Sequence, residues 1–497
     1  MKGVAWIGSG RVFVVVIGLM STIILARLLT PEDFGLVAIA GAAAAIIALL
    51  TDLPLSKALI HHDEPGESHF HTVWTFGLIK GAIVLVLIGG SSPLIAAAYG
   101  DERLQALMLA LAITAAIGTL QNPTLAMFER ELVFWQNVLL DTADKLAAFI
   151  VTVAIAYFYR SYWALVAGVL AAQIVRVAVS HVIRPYRPKV SFSKARELLS
   201  FSVWLTFGSW VQAINWRADP LVIGAFVKPG ILGFYTMGDR LSTMSVGQVL
   251  GPVSQVLFPA LSRFKHNKAR LQSAYLRMQA MSCIIAFPIG AGFAVLAQPI
   301  VLLALGEKWL PAVPVVQILA LLAASITVQL VGPLAMAVGQ TKALFWRDFQ
   351  IFLVRAPLLL CGIILGGATS VGMLMGAVLG RGVAQAIMTI WTMLLVKQLS
   401  GLQLRQQFIS VARPALASFV MVFIVGGAFT MVGPLQQDIT GYVTLLALIG
   451  LGAAVYFCTM LALWLVSGRK AGPEAELLEM ALAVMRKVRG RRTVDLT

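Results

Sequence analysis

Apolar blocks long enough to cross a bilayer follow one another along the whole chain, separated only by short polar breaks. A spanning helix needs about 20 predominantly apolar residues, and a chain that offers little else leaves no room for a soluble domain. With 59% hydrophobic and 12% charged residues and a mean hydropathy of +0.88, it cannot wet the surface of a soluble fold. The fold class is therefore an all-α polytopic membrane protein.

The blocks number about fourteen at this span length, at 4–28, 34–53, 74–98, 104–123, 136–158, 162–183, 198–227, 232–257, 276–296, 312–336, 344–366, 371–396, 414–433 and 443–466. Loops rich in Lys and Arg stay in the cytoplasm, which gives an independent check. Starting inside, one side collects Arg184, Arg187, Lys189, Lys194, Arg196, Arg263, Lys265, Lys268, Arg270 and Arg277 among others, and the opposite side only Arg27, Arg103, Arg160, Lys228 and Lys308. An even count with both termini cytoplasmic follows. After Ser467 the tail carries Glu474, Glu476 and Glu479 early, Arg486, Lys487 and Arg489 late, and one apolar stripe. This is the pattern of an amphipathic helix on an anionic leaflet.

Cys283, Cys361 and Cys458 lie in apolar blocks without the paired spacing of a metal site or disulfide framework, so they read as small core residues. No P-loop, zinc motif or Asp-x-Asp site is present, and no outer loop is large enough to house catalytic acids. A polytopic glycan polymerase or ligase is thereby the weaker reading, the chain is expected not to be an enzyme, and no metal, cofactor or nucleic acid is called for.

An internal repeat organises the chain. Pro31 and Pro229, Gly35 and Gly233, Gly10 and Gly208, Pro54 and Pro252, and Ser56 and Ser254 are each 198 positions apart. The offset spans an even number of crossings, so the copies are parallel and related by an axis along the membrane normal. The expected organisation is an N-terminal six-helix lobe (1–185), a C-terminal six-helix lobe (186–397), two further helices (398–466) and the cytoplasmic tail (467–497). Thr30, Pro31, Glu32 and Asp33 read as capping chemistry, whereas Pro54 and Pro252 lie where a kink would serve gating.

Cations recur inside these segments: Arg11, Lys80, Arg176, Arg217, Arg240, Arg355 and Arg381. A charge at membrane depth is costly and faces a wet cavity or a partner. Only Asp219 and Asp239 read as comparably deep acids, so the interior is expected to be net positive and to suit an anionic cargo. Arg11, Lys80, Arg176, Arg217, Arg355 and Arg381 are the substrate-binding candidates, with Arg the better phosphate ligand. Asp219, Asp239 and Arg240 form the candidate salt-bridge or ion-coupling group, with H+ or Na+ as the coupling ion and Arg217–Asp239 or Asp219–Arg240 as the expected pairs. Gln173, Asn215 and Gln385 can bond sugar or neighbouring helices.

The stretches RLLTPEDFGLVAIA (Arg27–Ala40), DPLVIGAFVKPGILGFYTMGDRL (Asp219–Leu241), FPALSRF (Phe258–Phe264) and GEKWLPAVPVVQILAL (Gly306–Leu321) resemble the Wzx-type polysaccharide flippases of the multidrug/oligosaccharidyl-lipid/polysaccharide superfamily. The resemblance implies two lobes about a cationic cavity in the bacterial inner membrane. The implied cargo is an undecaprenyl-diphosphate-linked oligosaccharide, bound for exopolysaccharide, capsule or lipopolysaccharide, with a polymerase and export machinery as partners beside the membrane lipids. A multidrug exporter of the same superfamily is the alternative; its cationic cargo would favour acidic pockets.

Overall fold

In the computed structural model, the structure describes residues 2–53, 55–61, 65–131, 135–198, 210, 214–215 and 217–467, with the side chains of 2–12, 57, 61, 129, 248–260, 329 and 341 outside the description. Among the described residues there are helices and no strands. Nine helical stretches there are long and apolar enough to span a bilayer, and Phe13–Leu28 and Arg103–Gly118 add shorter apolar ones.

The helices run α1 (Lys2–Leu28), α2 (Pro31–Leu50), α3 (Leu55–His61), α4 (Glu67–Tyr99), α5 (Arg103–Gly118), α6 (Ala126–Arg130), α7 (Trp135–Tyr159), α8 (Trp163–Ile183), α9 (Asp219–Gly224), α10 (Pro229–Ser262), α11 (Lys268–Val295), α12 (Ala297–Leu305), α13 (Val313–Ser325), α14 (Val331–Ala337), α15 (Thr341–Leu365), α16 (Ser370–Ser400), α17 (Leu404–Val432) and α18 (Ile439–Val466). Every expected segment holds a helix; in 198–227, half of which lies outside the described residues, it is the short α9. Also outside are Pro54, the tail after Ser467 and the Arg11 side chain, although the backbone of Arg11 is helical. Helix α10 continues through Pro252.

Two compact units divide the chain: Met1–Met237 with Ala304–Trp309 and Asp348–Ala377, and Gly238–Leu303 with Leu310–Arg347 and Val378–Thr497. Compactness thus cuts at different places from the repeat, which concerns duplication and not contact. In the first unit, the segment between α2 and α4 contains α3, whose Leu55, Ala58 and Leu59 are buried with Phe70, Val73, Ala126 and Met127. In the second, α11 packs on α17 through Ile284, Ala291, Ala417, Met421 and Val425. Cys283 is a core residue as expected, but Cys361 and Cys458 are exposed on their helices; an apolar sequence context does not separate a lipid-facing side from a protein-facing one.

Local chemistry fixes the start of α2. Thr30 Oγ1 accepts a hydrogen bond from Asp33 N at 3.3 Å, and Asp33 Oδ2 accepts one from Thr30 N at 2.8 Å, a reciprocal cap of the kind that contributes about 1 kcal/mol. The repeated glycines have a separate purpose. A Cβ on Gly35 would lie 1.8 Å from the Pro229 carbonyl oxygen, and one on Gly233 would lie 1.9 Å from that of Pro31. The two copies of the motif therefore cross backbone to backbone, each glycine admitting the other copy's proline carbonyl.

A segment from much later in the chain locks this crossing. Lys308 Nζ donates to the carbonyls of Arg27 (2.9 Å) and Leu29 (2.6 Å) at the end of α1, and Arg27 Nε donates in return to Ala304 O near the end of α12 at 3.1 Å. Trp309 is fully buried; its Nε1 donates to Ala26 O at 2.8 Å, and its ring meets Phe34 and Phe234 edge-on at 5.4 and 6.1 Å. Three of the four family-like stretches thus converge in one place. By helix alternation, that place is at the opposite end of the first unit from the basic connector Arg184–Arg196.

Candidate functional site

The first unit contains a cavity of about 450 Å³ at the end where α2, α5 and α8 finish and α4 and α7 begin. Its wall includes Thr51 and Asp52 after α2, Trp74 and Lys80 of α4, Thr119, Gln121 and Asn122 after α5, Asn137 and Asp141 of α7, and Arg176 of α8. Small residues bring these elements close: a Cβ on Gly81 would lie 2.5 Å from Thr119 Oγ1, and one on Gly77 2.7 Å from Thr119 O. Asn122 holds the rim, its Oδ1 accepting from Thr124 N (3.0 Å) and its Nδ2 donating to Arg184 O (2.7 Å).

Lys80 and Arg176, both expected to bind substrate, come together in this cavity. Each is already paired. Lys80 Nζ lies 2.5 Å from Asp52 Oδ1, and Arg176 Nη1 lies 3.0 Å from Asp141 and 2.6 Å from Asp144. At this cavity three carboxylates meet two cations, so the expected excess of positive charge is not found here. Asp141 and Asp144 stand near the start of an apolar helix, where a sequence gives no measure of how far the neighbouring arginine reaches down.

The other charges form two separate pairs. Within the first unit, Asp219 Oδ2 accepts from Arg355 Nη2 at 2.5 Å and from Tyr235 OH at 2.8 Å, with both charged side chains about 90% buried (11% and 8% exposed). Within the second, Arg381 Nη1 lies 2.8 Å from Asp239 Oδ1. The expected pairs Arg217–Asp239 and Asp219–Arg240 do not form; the partners come from α15 and α16. Spacing could exclude a same-face pair but not say which distant helix lies alongside.

Arg217 and Arg240 are left exposed, and neither pairs with an acid among the described residues. Arg240 lies about 16 Å from the start of the 34-residue α10, at 1.5 Å per residue. A cation at that depth facing lipid would be costly, so its exposed surface is in wet space. Of the three amides, Asn215 donates to Asp348 O (2.9 Å) and Gln385 to Ser325 Oγ (3.2 Å), tying helices together. Gln173 packs against Gly118, behind the cavity wall. Sequence reasoning missed Trp74, Gln121, Asn137 and Asp52, since single polar or aromatic residues near helix ends are commonplace.

Outside the spans, the Asp101 carboxyl is held below its usual range by the Arg103 guanidinium, which also reaches Glu32 of α2 at 2.7 Å. Burial pushes the Tyr186 phenol up to about 12, and its OH meets His71 Nδ1 at 2.8 Å.

The fold is one seen in transporters of the multidrug/oligosaccharidyl-lipid/polysaccharide superfamily. The lipid II flippase MurJ in an inward-closed conformation superposes with a TM-score of 0.72 at 15% identity, over 92% of this chain and 98% of that one. An inward-facing multidrug resistance transporter of the superfamily gives 0.62 at 15% identity, over 78% and 96%. The sequence profile of the polysaccharide biosynthesis protein family matches residues 24–314, and the chain belongs to that family. Relatives include the lipopolysaccharide biosynthesis protein WzxC of Escherichia coli K12, 25% identical over 86% of this chain and 87% of that protein. The teichuronic acid biosynthesis protein TuaB of Bacillus subtilis 168 is 24% identical over 86% and 88%. The succinoglycan biosynthesis transport protein ExoT of Rhizobium meliloti is 25% identical over 81% of each chain.

Proposed function

We propose that this protein is a flippase, not an enzyme, that carries an undecaprenyl-diphosphate-linked oligosaccharide repeat unit across the bacterial inner membrane by alternating access, with both termini in the cytoplasm. The observation that carries the reading is Arg240: an exposed cation about a third of the way along α10, unpaired among the described residues, in a protein whose relatives are named for surface-polysaccharide biosynthesis. An uncompensated guanidinium attracts a diphosphate and repels the cationic cargo of a multidrug exporter. Arg217 is the second free cation suited to this task, and Arg11 remains a candidate. Arg355 and Arg381, held by Asp219 and Asp239, are suited to the salt-bridge network whose breaking would couple transport to H+ or Na+. Membrane lipids would receive the cargo's tail, and a polymerase with its export machinery would take the glycan onward.

Depleting the protein in a polysaccharide-producing host should remove the glycan from the cell surface and leave lipid-linked repeat units accessible only from the cytoplasmic leaflet. Arg240→Ala at equal membrane abundance should reproduce the loss, and Arg240→Lys should restore part of it. Undiminished glycan on depletion, with a new sensitivity to cationic drugs, would replace the flippase with a drug exporter.

A further inference from the structure

We infer that the cavity of the first unit is a subsite for a sugar residue of the cargo, separate from the cations that hold the diphosphate. This rests on the flippase reading and assigns a substrate class to Trp74, Gln121 and Asn137. At about 450 Å³ the cavity falls in the range of sites that enclose a small ligand. Its charge argues against phosphate. Lys80 and Arg176 are each engaged by carboxylates at 2.5–3.0 Å, so a diphosphate entering here would have to displace them and lie against Asp52, Asp141 and Asp144.

A hydroxyl-rich ring has the opposite relation to the same wall. Each sugar hydroxyl donates and accepts, and the Lys80–Asp52 and Arg176–Asp141 pairs present a donor beside an acceptor. Hydroxyl donors bond carboxylates more strongly than neutral acceptors. The Gln121 and Asn137 amides and the Trp74 indole line the cavity and have no side-chain hydrogen-bond partner among the described residues. Trp74 and Phe76 add aromatic faces to the wall, matching the C–H face of a pyranose. The cavity opens at the end of the first unit that carries the basic connector Arg184–Arg196, the side on which the proposed cargo is made.

The test is a photocrosslink in the polysaccharide-producing host, using the full chain with a diazirine-bearing side chain at position 137, and in a parallel strain at position 244, one turn along α10 from Arg240, which keeps the guanidinium. Mild acid then cleaves the labile bond between the anomeric carbon and the phosphate, and the adduct is weighed. The expected adduct at 137 keeps glycan mass and sheds the polyprenyl diphosphate, while that at 244 keeps the diphosphate. Trp74→Leu should lower the yield at 137 by roughly two- to tenfold, the range of an aromatic contact of about 0.5–1.5 kcal/mol, and leave the yield at 244 unchanged.

Polyprenyl diphosphate retained at 137 would overturn the sugar assignment. So would an adduct at 244 with none at 137, and in both cases the flippase reading would stand. Absence of cargo at both positions, together with undiminished glycan on depletion, would remove the reading itself and the subsite with it. If the chain labelled at 137 fails to insert, the label at Thr119, which faces the same cavity, decides in the same way.

Discussion

Gly35→Ala should open the end of the first unit at which α1 passes into α2. The added Cβ would lie 1.8 Å from the Pro229 carbonyl oxygen, whereas an unstrained contact is about 3.4 Å or more. Backbone stands on both sides, so no side chain can rotate away, and the α2 and α10 starts must separate by roughly 1.5 Å. Overpacking of this kind costs about 1–3 kcal/mol, which multiplies the population of the separated arrangement roughly 5- to 150-fold. The reporter is Ala26→Cys in a background lacking Cys283, Cys361 and Cys458. Ala26 is fully buried under Trp309, so its labelling by a membrane-impermeant maleimide from outside the cell reads separation directly. Gly233→Ala should raise the labelling rate similarly, since its Cβ would meet Pro31 O at 1.9 Å. Because either substitution pushes the same two helices apart, the double variant should gain less than the product of the single effects. Unchanged labelling in Gly35→Ala, or full multiplicativity in the double variant, would refute a single shared crossing.

Arg355→Ala should lower membrane accumulation, because it removes one partner of a buried ion pair, a change that costs up to about 3–5 kcal/mol. Adding Asp219→Asn should recover much of it, as fluorescence-detected size exclusion at matched expression would show. Normal accumulation of the single variant would mean that Asp219 does not depend on the pair. For topology, Asp438→Cys should react with an impermeant thiol reagent in intact cells and Lys268→Cys should not; the reverse pattern would invert the chain in the membrane. Asp101 supplies a pH dependence. Its carboxyl is held below the ordinary value of 3.8 by Arg103, so the stabilisation is complete above that value and is lost as pH falls below it. Arg103 is 44% exposed, and screening keeps the effect under about 1 kcal/mol. Arg103→Gln should flatten the difference in thermal stability between pH 5 and pH 3, and an unchanged difference would show that Asp101 is not responsible.

Hydropathy located nearly every span because burial in lipid and the apolar run are the same fact. It misplaced the ends for the same reason. Helix α4 starts at Glu67 and α17 at Leu404, well before their apolar stretches, since backbone hydrogen bonding continues where lipid stops. The repeat was visible as matched prolines and glycines, and the cap at Thr30 was readable residue by residue. What Gly35 and Gly233 do was not readable, because a glycine near a helix start serves a turn as plausibly as a crossing. Only the facing carbonyls of Pro229 and Pro31 distinguish the two. Likewise GEKW carried family likeness but no sign that Trp309 would be buried against Ala26, far away in sequence.

The charges divide along the same line between what is local and what is not. That Lys80, Arg176, Arg355 and Arg381 are costly at depth is a property of each residue and could be read directly. That each has an acid waiting for it depends on which helices are neighbours. The distinction bears on the proposed driving force. A paired arginine and aspartate are jointly neutral, so rearranging them does little electrical work, whereas an anionic cargo leaving a negative interior gains about 2.3 kcal/mol per charge per 100 mV if the full field is crossed. Asp219 and Arg355 sit in a nearly enclosed site (8% and 11% exposed), out of easy reach of an ion. Asp239 is 36% exposed beside Arg381, so an ion can reach it and water can take over the released guanidinium. On the proposed reading, the potential does most of the work, and Asp239 is the acid better placed to add ion coupling.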